Sequence, residues 1–399
     1  MKASLLRLFD TAKRAVVPFE PAAGPGGTVT MYTCGITPYD SAHIGHAATY
    51  LAYDVLQRRL QDLGYRPMLV RNVTDVDDDI LRKARQLGVH YLDLAAEEMA
   101  RFSADMGALG LLPAASEPRA TSAIPDILGF IGMVLANGHA YQAGGAVYFD
   151  VSSWPDFGSI SRYGREKMLQ LARERGGNPD DPNKGDPLDF VLWQPSAPGE
   201  PAWDSLWGRG RPGWHIECSA LVVRELGLTI DLHGGGSDLI FPHHECEAAQ
   251  SQAATGEAFV RHWMHTGMVG YEGAKMSKSL GNLVFVRDLL KSWDPAAVRL
   301  AIVANHYRSD WEWHDDLLHE AAARLAVWRR SQEKGRLPPA ARGVPDEGVG
   351  VLEEVRAALD DDLGTPRALV AIDAAAAAGA GNAAPAEVAD AAALLGVVL

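Results

Sequence analysis

Two short segments constrain this chain most. His43-Ile44-Gly45-His46 stands after a proline-containing turn at the opening of an apolar-periodic helix, and Lys275-Met276-Ser277-Lys278-Ser279 lies more than two hundred residues downstream. The first segment follows a strand, Thr28 to Thr33, and a Gly-Ile-Thr-Pro turn; its helix runs from about Ile44 to Leu63. Pro67 to Val73 reads as a second strand, and Asp75-Val76-Asp77-Asp78-Asp79 as an acidic helix start. Strand, helix, strand at this spacing predicts a parallel, doubly wound α/β sheet. The second half resumes with a strand at Leu228 to Leu232 running into Gly234-Gly235-Gly236, a helix opened by Pro242, and a strand around Trp263 to Val269.

Between the halves, residues from roughly 100 to 205 carry helical pattern and then a Gly/Pro/Asp-rich stretch, Arg175 to Pro187, which reads as an insertion. A doubly wound sheet puts its ligand crevice where the strand order reverses, so an insertion at that seam can reach the site. After Ser279 the pattern is helical, with Trp311, Trp313, Leu317, Leu318, Leu325 and Trp328 along an amphipathic run. Gly335 to Gly350 reads as a linker, and Val351 to Leu399 has room for two or three Ala-rich helices.

A composition of 47% hydrophobic and 22% charged residues excludes collagenous and wholly disordered chains. No apolar run approaches eighteen residues and the first ten carry no cleavage signal, so a cytoplasmic protein is expected. A formal charge of −14 argues against gripping a long nucleic acid, a task of clustered Lys and Arg. Three scattered cysteines, Cys34, Cys218 and Cys246, make no disulfide framework and suit metal ligation or catalysis.

A helix N-terminus exposes unpaired N–H groups and a partial positive charge, so the start of the first helix is a natural phosphate seat. His43 and His46 flank it and can donate to a phosphate whose charge builds in the transition state; Gly45 would let an adenine approach the backbone. Alone, the two histidines are also what a capped or surface helix start would carry. Lys275 and Lys278, between Gly273 and Gly281, form a cationic loop suited to departing β and γ phosphates. Together the segments predict an ATP site with His43, His46, Lys275 and Lys278 as the catalytic charges.

Cys34 ends the first strand, Cys218 lies in Gly213-Trp214-His215-Ile216-Glu217-Cys218, and His243 precedes Glu247 by one helical turn. Thiolate, thiolate and imidazole make a zinc set with one position open. Cys246 and Glu247 both fall within a turn of His243, and either could be the fourth donor; a free cysteine is more often buried as a small apolar residue. His244 reads first as an ordinary core or surface residue, with a supporting or capping role as the alternative. An open corner beside an adenylating site would let a substrate thiol separate cysteine from serine.

These residues, with Cys34-Gly35-Ile36-Thr37, Asn72-Val73-Thr74-Asp75, Gly234 to Asp238 and Pro242 to Glu245, resemble the class I cysteine-activating enzymes over about residues 5 to 330. That group, part of the class I aminoacyl-tRNA synthetases, has two branches: cysteinyl-tRNA synthetase, and a ligase of mycothiol biosynthesis that joins cysteine to glucosaminyl-inositol. Ala47-Ala48-Thr49, Glu174-Arg175-Gly176-Gly177-Asn178-Pro179 and the Leu-Gly-Val-Val-Leu end at Leu399 are similar to the ligase branch. His233, Glu247 and Leu280 look like the synthetase branch, and Asn178 stands where the ligase box has Asp.

The resemblance implies a Rossmann-like (HUP) parallel sheet with an inserted connective domain and a C-terminal helical bundle. The corresponding domains are 1–100 and 206–285 for the two halves of the sheet, 101–205 for the insertion, and 286–399 for the helices, with a linker near 335–350. It also implies one zinc on Cys34, Cys218 and His243, and MgATP as substrate. Trp214 and Thr74 would wall the cysteine pocket, and Asp238 would face the ammonium or the ribose. Gly35, Ile36, Thr37, Thr49, Asn72, Val73, Gly236, Ser237 and Val269 would line the adenylate. Cysteine, ATP and glucosaminyl-inositol are the expected substrates of a monomer that does not use tRNA, and Arg175 to Pro187 is the expected cover for the sugar. A non-catalytic zinc- and nucleotide-binding paralogue is the alternative outside enzymology.

Overall fold

The structure, a computed structural model, describes residues 5–276, 281–334, 350–378 and 385–399. A short antiparallel hairpin, Arg7–Asp10 (β1) and Ala15–Pro18 (β2), precedes the main sheet. Thr28–Ile36 (β3) then feeds Ile44–Asp62 (α1), which returns the chain to Arg66–Val73 (β4), parallel to β3. The acidic stretch that follows is split in its use. Asp75 is buried and accepts from the Thr121 N–H and hydroxyl, whereas Asp77 caps Asp78–Leu87 (α2) by accepting from the N–H groups of Asp79 and Ile80. Tyr91–Ala108 (α3) completes this half.

Ile124–Ala136 (α4), Ala140–Ala143 (β5), Ala146–Phe149 (β6), Arg165–Glu174 (α5), Phe190–Pro195 (β7) and Gly210–Pro212 (β8) come next. Their four strands form a separate antiparallel sheet in sequential order. The chain then rejoins the first sheet through Trp214–Leu226 (α6), Ile230–Gly236 (β9), Glu245–Thr255 (α7) and Val260–Thr266 (β10). The strand order is β10-β9-β3-β4, all parallel, so the reversal falls between β3 and β9.

Alternation along β3 splits the core. Val29 and Met31 point toward α1 and the C-terminal helices, and Tyr32 and Cys34 toward α4, α6 and α7, so both faces of the sheet are covered. Helix α1 is anchored by Leu51, Leu56 and Leu60, all fully buried, each contributing about 2 kcal/mol of apolar burial.

Val269–Tyr271 (β11) and Ala274–Lys275 (β12) pair antiparallel ahead of Val286–Leu289 (α8) and Pro295–Val303 (α9). Trp311–Glu312 (β13) adds to β11, and the rest is helical: Asp316–Lys334 (α10), Val351–Asp360 (α11), Thr365–Ala378 (α12) and Pro385–Leu394 (α13). Trp313, Leu318, Leu325 and Trp328 are buried here as the amphipathic pattern requires. The linker expected over 335–350 lies outside the described residues except for Gly350, which precedes α11. Among the described residues no helix is long and apolar enough to cross a membrane.

Three expectations need correction. The strand expected over Leu228 to Leu232 runs Ile230–Gly236 and takes in the glycine run, where Gly234 lies so that a Cβ would come 2.0 Å from the Met264 carbonyl and 2.1 Å from the Tyr53 hydroxyl. The strand drawn through Trp263 to Val269 is two strands in two sheets. They break at Gly267, whose Cβ would meet the Ser309 carbonyl at 2.2 Å. The helix expected from Pro242 begins at Glu245, after a wide turn, Ile240–His244, in which Phe241 is extended (φ −141, ψ 135).

Candidate active site and metal centre

The expected site residues gather at the carboxyl ends of β3, β4, β9 and β10, the edge where parallel sheets bind ligands. Strand β3 loses register between Thr33 and Ile36, and the irregularity falls on Cys34 and Gly35. Such bulges re-aim side chains next to sites. Gly35 is required there, since a Cβ would stand 1.5 Å from the Asn72 carbonyl oxygen. Its N–H donates to Asn72 Oδ1 at 2.7 Å, and Asn72 Nδ2 donates to the Thr74 hydroxyl at 3.1 Å. Val73 pairs with Ile36, and the Thr37 hydroxyl donates to Asp77 at 3.2 Å, tying the β3 turn to the start of α2.

His43 is the N-cap of α1, and its ring accepts from Gly45 N at 3.1 Å. His46 Nδ1 in turn accepts from His43 N at 3.4 Å, and the two rings stack with centroids 3.9 Å apart. This is a capping box built from two imidazoles. Helix capping and phosphate binding are therefore not rival uses here. An Nδ1 that accepts a backbone N–H puts the neutral ring's hydrogen on Nε2, as a donor. Gly45 serves the cap itself, because a Cβ would press on the His43 ring at 2.8 Å. One turn on, the Thr49 hydroxyl bonds the Gly45 carbonyl at 3.2 Å and the Thr266 hydroxyl at 3.0 Å. Gly236 ends β9, and Ser237 and Asp238 occupy the short turn after it. Val269 is buried in β11, and its carbonyl accepts from Met276 N at 3.2 Å. Lys275 ends β12, and Lys278 lies outside the described residues.

Behind this edge Cys34, Cys218, His243 and Glu247 converge, all buried, with one donor atom from each within 4.8 Å of the others. Cys34 Sγ lies 4.0 Å from Cys218 Sγ and 3.6 Å from Glu247 Oε1. His243 Nε2 is buried 3.0 Å from Glu247 Oε1 yet makes no hydrogen bond of good geometry, which leaves an orphaned donor aimed into the cluster. Its Nδ1 is engaged by His215 Nδ1 at 2.8 Å, and its ring stacks on Trp214 at 4.1 Å. Of the two candidates for a fourth donor the fold brings in Glu247; Cys246 is buried outside the group.

Electrostatics favour a cation here. The hydrogen bond from Cys34 holds the Cys218 thiol down to about 6, while burial pushes Cys34 well above the ordinary thiol range. Burial opposes charge on Glu247, but His233 and His243 outweigh it and bring the carboxyl to about 2. Burial likewise opposes protonation of His243, yet Glu247 and Cys218 raise it to about 10. A buried place that binds a proton this tightly between a thiolate and a carboxylate fits a metal ion, and two sulfurs, one nitrogen and one oxygen are donors that zinc accepts.

Supporting groups surround the set. His233 Nε2 bonds Glu247 Oε2 at 2.9 Å, and His244 spans Cys34 Sγ at 3.2 Å and His265 Nε2 at 2.7 Å. Such partners orient ligands and tune their basicity. A supporting role for His244 was only the less favoured reading of the sequence, and nothing local identified His215, His233, His265 or the buried Tyr32 near the thiols. The period-two pattern of β9 and β10 was the only local signal for His233 and His265, and that of β3 for Tyr32; His215, in α6, had none.

The family described as tRNA synthetases class I (C), catalytic domain, matches residues 22–323. The curated L-cysteine:1D-myo-inositol 2-amino-2-deoxy-alpha-D-glucopyranoside ligase of Thermobispora bispora is 50% identical over 397 residues, 99% of this chain and 96% of that protein. Its namesake in Thermomonospora curvata is 50% identical over 99% of this chain and 94% of its own length. Among solved structures, Mycobacterium tuberculosis methionyl-tRNA synthetase with methionyl-adenylate superposes with a TM-score of 0.68 at 18% identity, over 88% of this chain and 82% of that one. That likeness shows the fold, a class I synthetase sheet with helices on both faces. The chain belongs to the class I (C) tRNA-synthetase catalytic family, alongside these ligases.

Proposed function

We propose that this chain is an ATP-dependent, AMP-forming ligase that activates L-cysteine as cysteinyl-AMP and transfers it to the amine of glucosaminyl-inositol, as in mycothiol biosynthesis. The observation that carries the reading is end-to-end identity of 50% to ligases named for those substrates. In the first step a cysteine carboxylate oxygen attacks the α-phosphorus of MgATP, and pyrophosphate leaves. The nucleophile needs no base, so positioning and charge stabilisation dominate. The capped rings of His43 and His46 present Nε2–H donors to the α-phosphate, and Lys275 and Lys278 balance the departing charge.

Gly35, Ile36, Thr37, Thr49, Asn72, Val73, Gly236, Ser237 and Val269 would line the adenylate. Trp214 and Thr74 would wall the amino acid, and Asp238 would meet its ammonium or the ribose. Zinc held by Cys34, Cys218 and His243, with Glu247 as fourth donor in the resting protein, would supply a coordination site for the substrate thiol and so select cysteine over serine. In the second step the sugar amine attacks the acyl carbon, the bond to AMP breaks, and the amine's proton passes to the AMP phosphate or to water. The 175–187 segment is our candidate cover for the acceptor. We take the enzyme to be a cytoplasmic monomer that does not use tRNA.

The test offers tRNA and glucosaminyl-inositol together with cysteine and ATP. The reading requires the sugar amide to accumulate. Cysteinyl-tRNA alone would favour the synthetase branch, to which the family description and the His233 and Glu247 residues also point. Absence of cysteine-dependent pyrophosphate exchange into ATP, with metal bound, would favour a non-catalytic binder.

A further inference from the structure

We infer that Arg175 is a positioning residue for the cysteine site, and that Glu245 acts with it to make the inserted unit part of that site's frame. Residues 237–244 carry Asp238 and His243 on irregular backbone that leads into α7, where Glu247 sits in the first turn. A short 3-10 turn, Ser237–Leu239, runs into the wide turn Ile240–His244, with Phe241 extended inside it. Such backbone leaves carbonyls without partners of its own and has no regular hydrogen-bond ladder to hold it.

The inserted unit supplies the partners from two sides. Arg175 closes the C-terminal end of α5, and its Nη1 donates to the carbonyls of both Asp238 and Phe241. The loop behind it is itself fixed: Gly176 and Asn178 turn the chain at positive φ, 78 and 41, and Lys184 Nζ donates to the Gly177 carbonyl. On the other side the buried carboxylate of Glu245 accepts from Gly158 N at 2.8 Å, Ile160 N at 3.3 Å and Ser161 N at 2.8 Å. His243 lies between the two grips. The two hydrogens of one guanidinium nitrogen lie in a fixed plane and can meet two carbonyls at once, which a freely rotating ammonium does with less geometric definition. Asp238 and His243 are thus set by residues remote in sequence, and losing either grip moves the donor rather than deleting it.

The kinetic arm of the test rests on the proposed cysteine activation; the metal arm does not. Cobalt(II) is titrated into metal-stripped full-length protein, following the thiolate-to-cobalt and ligand-field bands, for wild type, Arg175→Ala, Arg175→Lys and Arg165→Ala. Arg165 pairs with Asp186 at 2.7 Å on the exposed side of the same unit and serves as control. Arg175→Ala should weaken cobalt binding about tenfold or more, in line with the loss of groups that orient ligands, and alter the ligand-field band. Arg175→Lys should fall between, Arg165→Ala should match wild type, and added guanidinium should restore Arg175→Ala. In pyrophosphate exchange KM for cysteine should rise more than KM for ATP. Wild-type cobalt affinity and spectrum in Arg175→Ala would overturn the inference. Should that variant fail to fold, Glu245→Gln is read instead: weaker cobalt binding supports the frame and unchanged binding refutes it. Wild type that binds cobalt but shows no cysteine-dependent exchange would sink the activity alone.

Discussion

Glu247→Gln isolates one charge. The carboxylate is fully buried, with Oε2 2.9 Å from His233 Nε2 and Oε1 3.0 Å from His243 Nε2 and 3.6 Å from Cys34 Sγ. Glutamine keeps the shape and one hydrogen-bond acceptor, so no cavity opens, but the anion that faces the metal position is gone. Loss of a group that merely orients a ligand costs roughly 10- to 100-fold in metal affinity, about 1.4 to 2.7 kcal/mol, so loss of a donor should cost at least that. Metal-stripped protein competing with a chromophoric chelator for zinc measures this directly. Cys246→Ser is the matched contrast: its buried thiol lies outside the donor group, so stability drops by about 1 kcal/mol while zinc affinity stays within about twofold. Wild-type affinity in Glu247→Gln, or a large loss in Cys246→Ser, would refute the assignment of the fourth donor.

Three further outcomes are expected. Replacing His43 or His46 by Ala should lower kcat for pyrophosphate exchange about 100-fold or more with little change in KM for cysteine, because the donors act on charge that builds in the transition state. Gly35→Ala should cost at least about 3 kcal/mol in urea unfolding, since the new methyl would stand 1.5 Å from the Asn72 carbonyl; unchanged stability would contradict the close approach. His265, which is buried, and His215, which is partly exposed, are pushed down to about 3, by burial first and a neighbouring imidazole second. The unfolded chain binds their protons near 6.5, so their contribution is intact above that pH and is lost as pH falls from 6.5 toward 3. Each amounts to roughly 4 to 5 kcal/mol across that window. Removing His265 with Gln should flatten the slope of unfolding free energy against pH there by up to about 1.4 kcal/mol per pH unit, and parallel slopes would contradict it.

Local order was legible where local chemistry decides it. The β3, α1, β4 unit follows from alternation, a capped start and period, and the site edge follows from that topology. The end of β9 was drawn short of the glycines at 234–236 because glycine weakens a strand pattern and also permits close approach, and only Tyr53 and Met264, distant in sequence, show that the strand continues. The start of α7 was misplaced because the wide turn at Ile240–His244 is held from outside, by Arg175. At the metal set, helical spacing put both Cys246 and Glu247 within a turn of His243, with Cys246 the more ordinary buried residue, and the direction of α7 against β3 and α6 brings Glu247 among the donors and leaves Cys246 outside them. The histidines behind it belong to four separate elements, α6, β9, β10 and the Ile240–His244 turn, and meet only once the sheet has formed.

Purified protein, zinc-loaded and then stripped, should be assayed for exchange of labelled pyrophosphate into ATP with cysteine and with serine side by side. The account predicts exchange with cysteine at least about 10⁴-fold above serine, abolished by stripping and restored by zinc. Equal exchange with serine, or full cysteine-dependent exchange without metal, would contradict it.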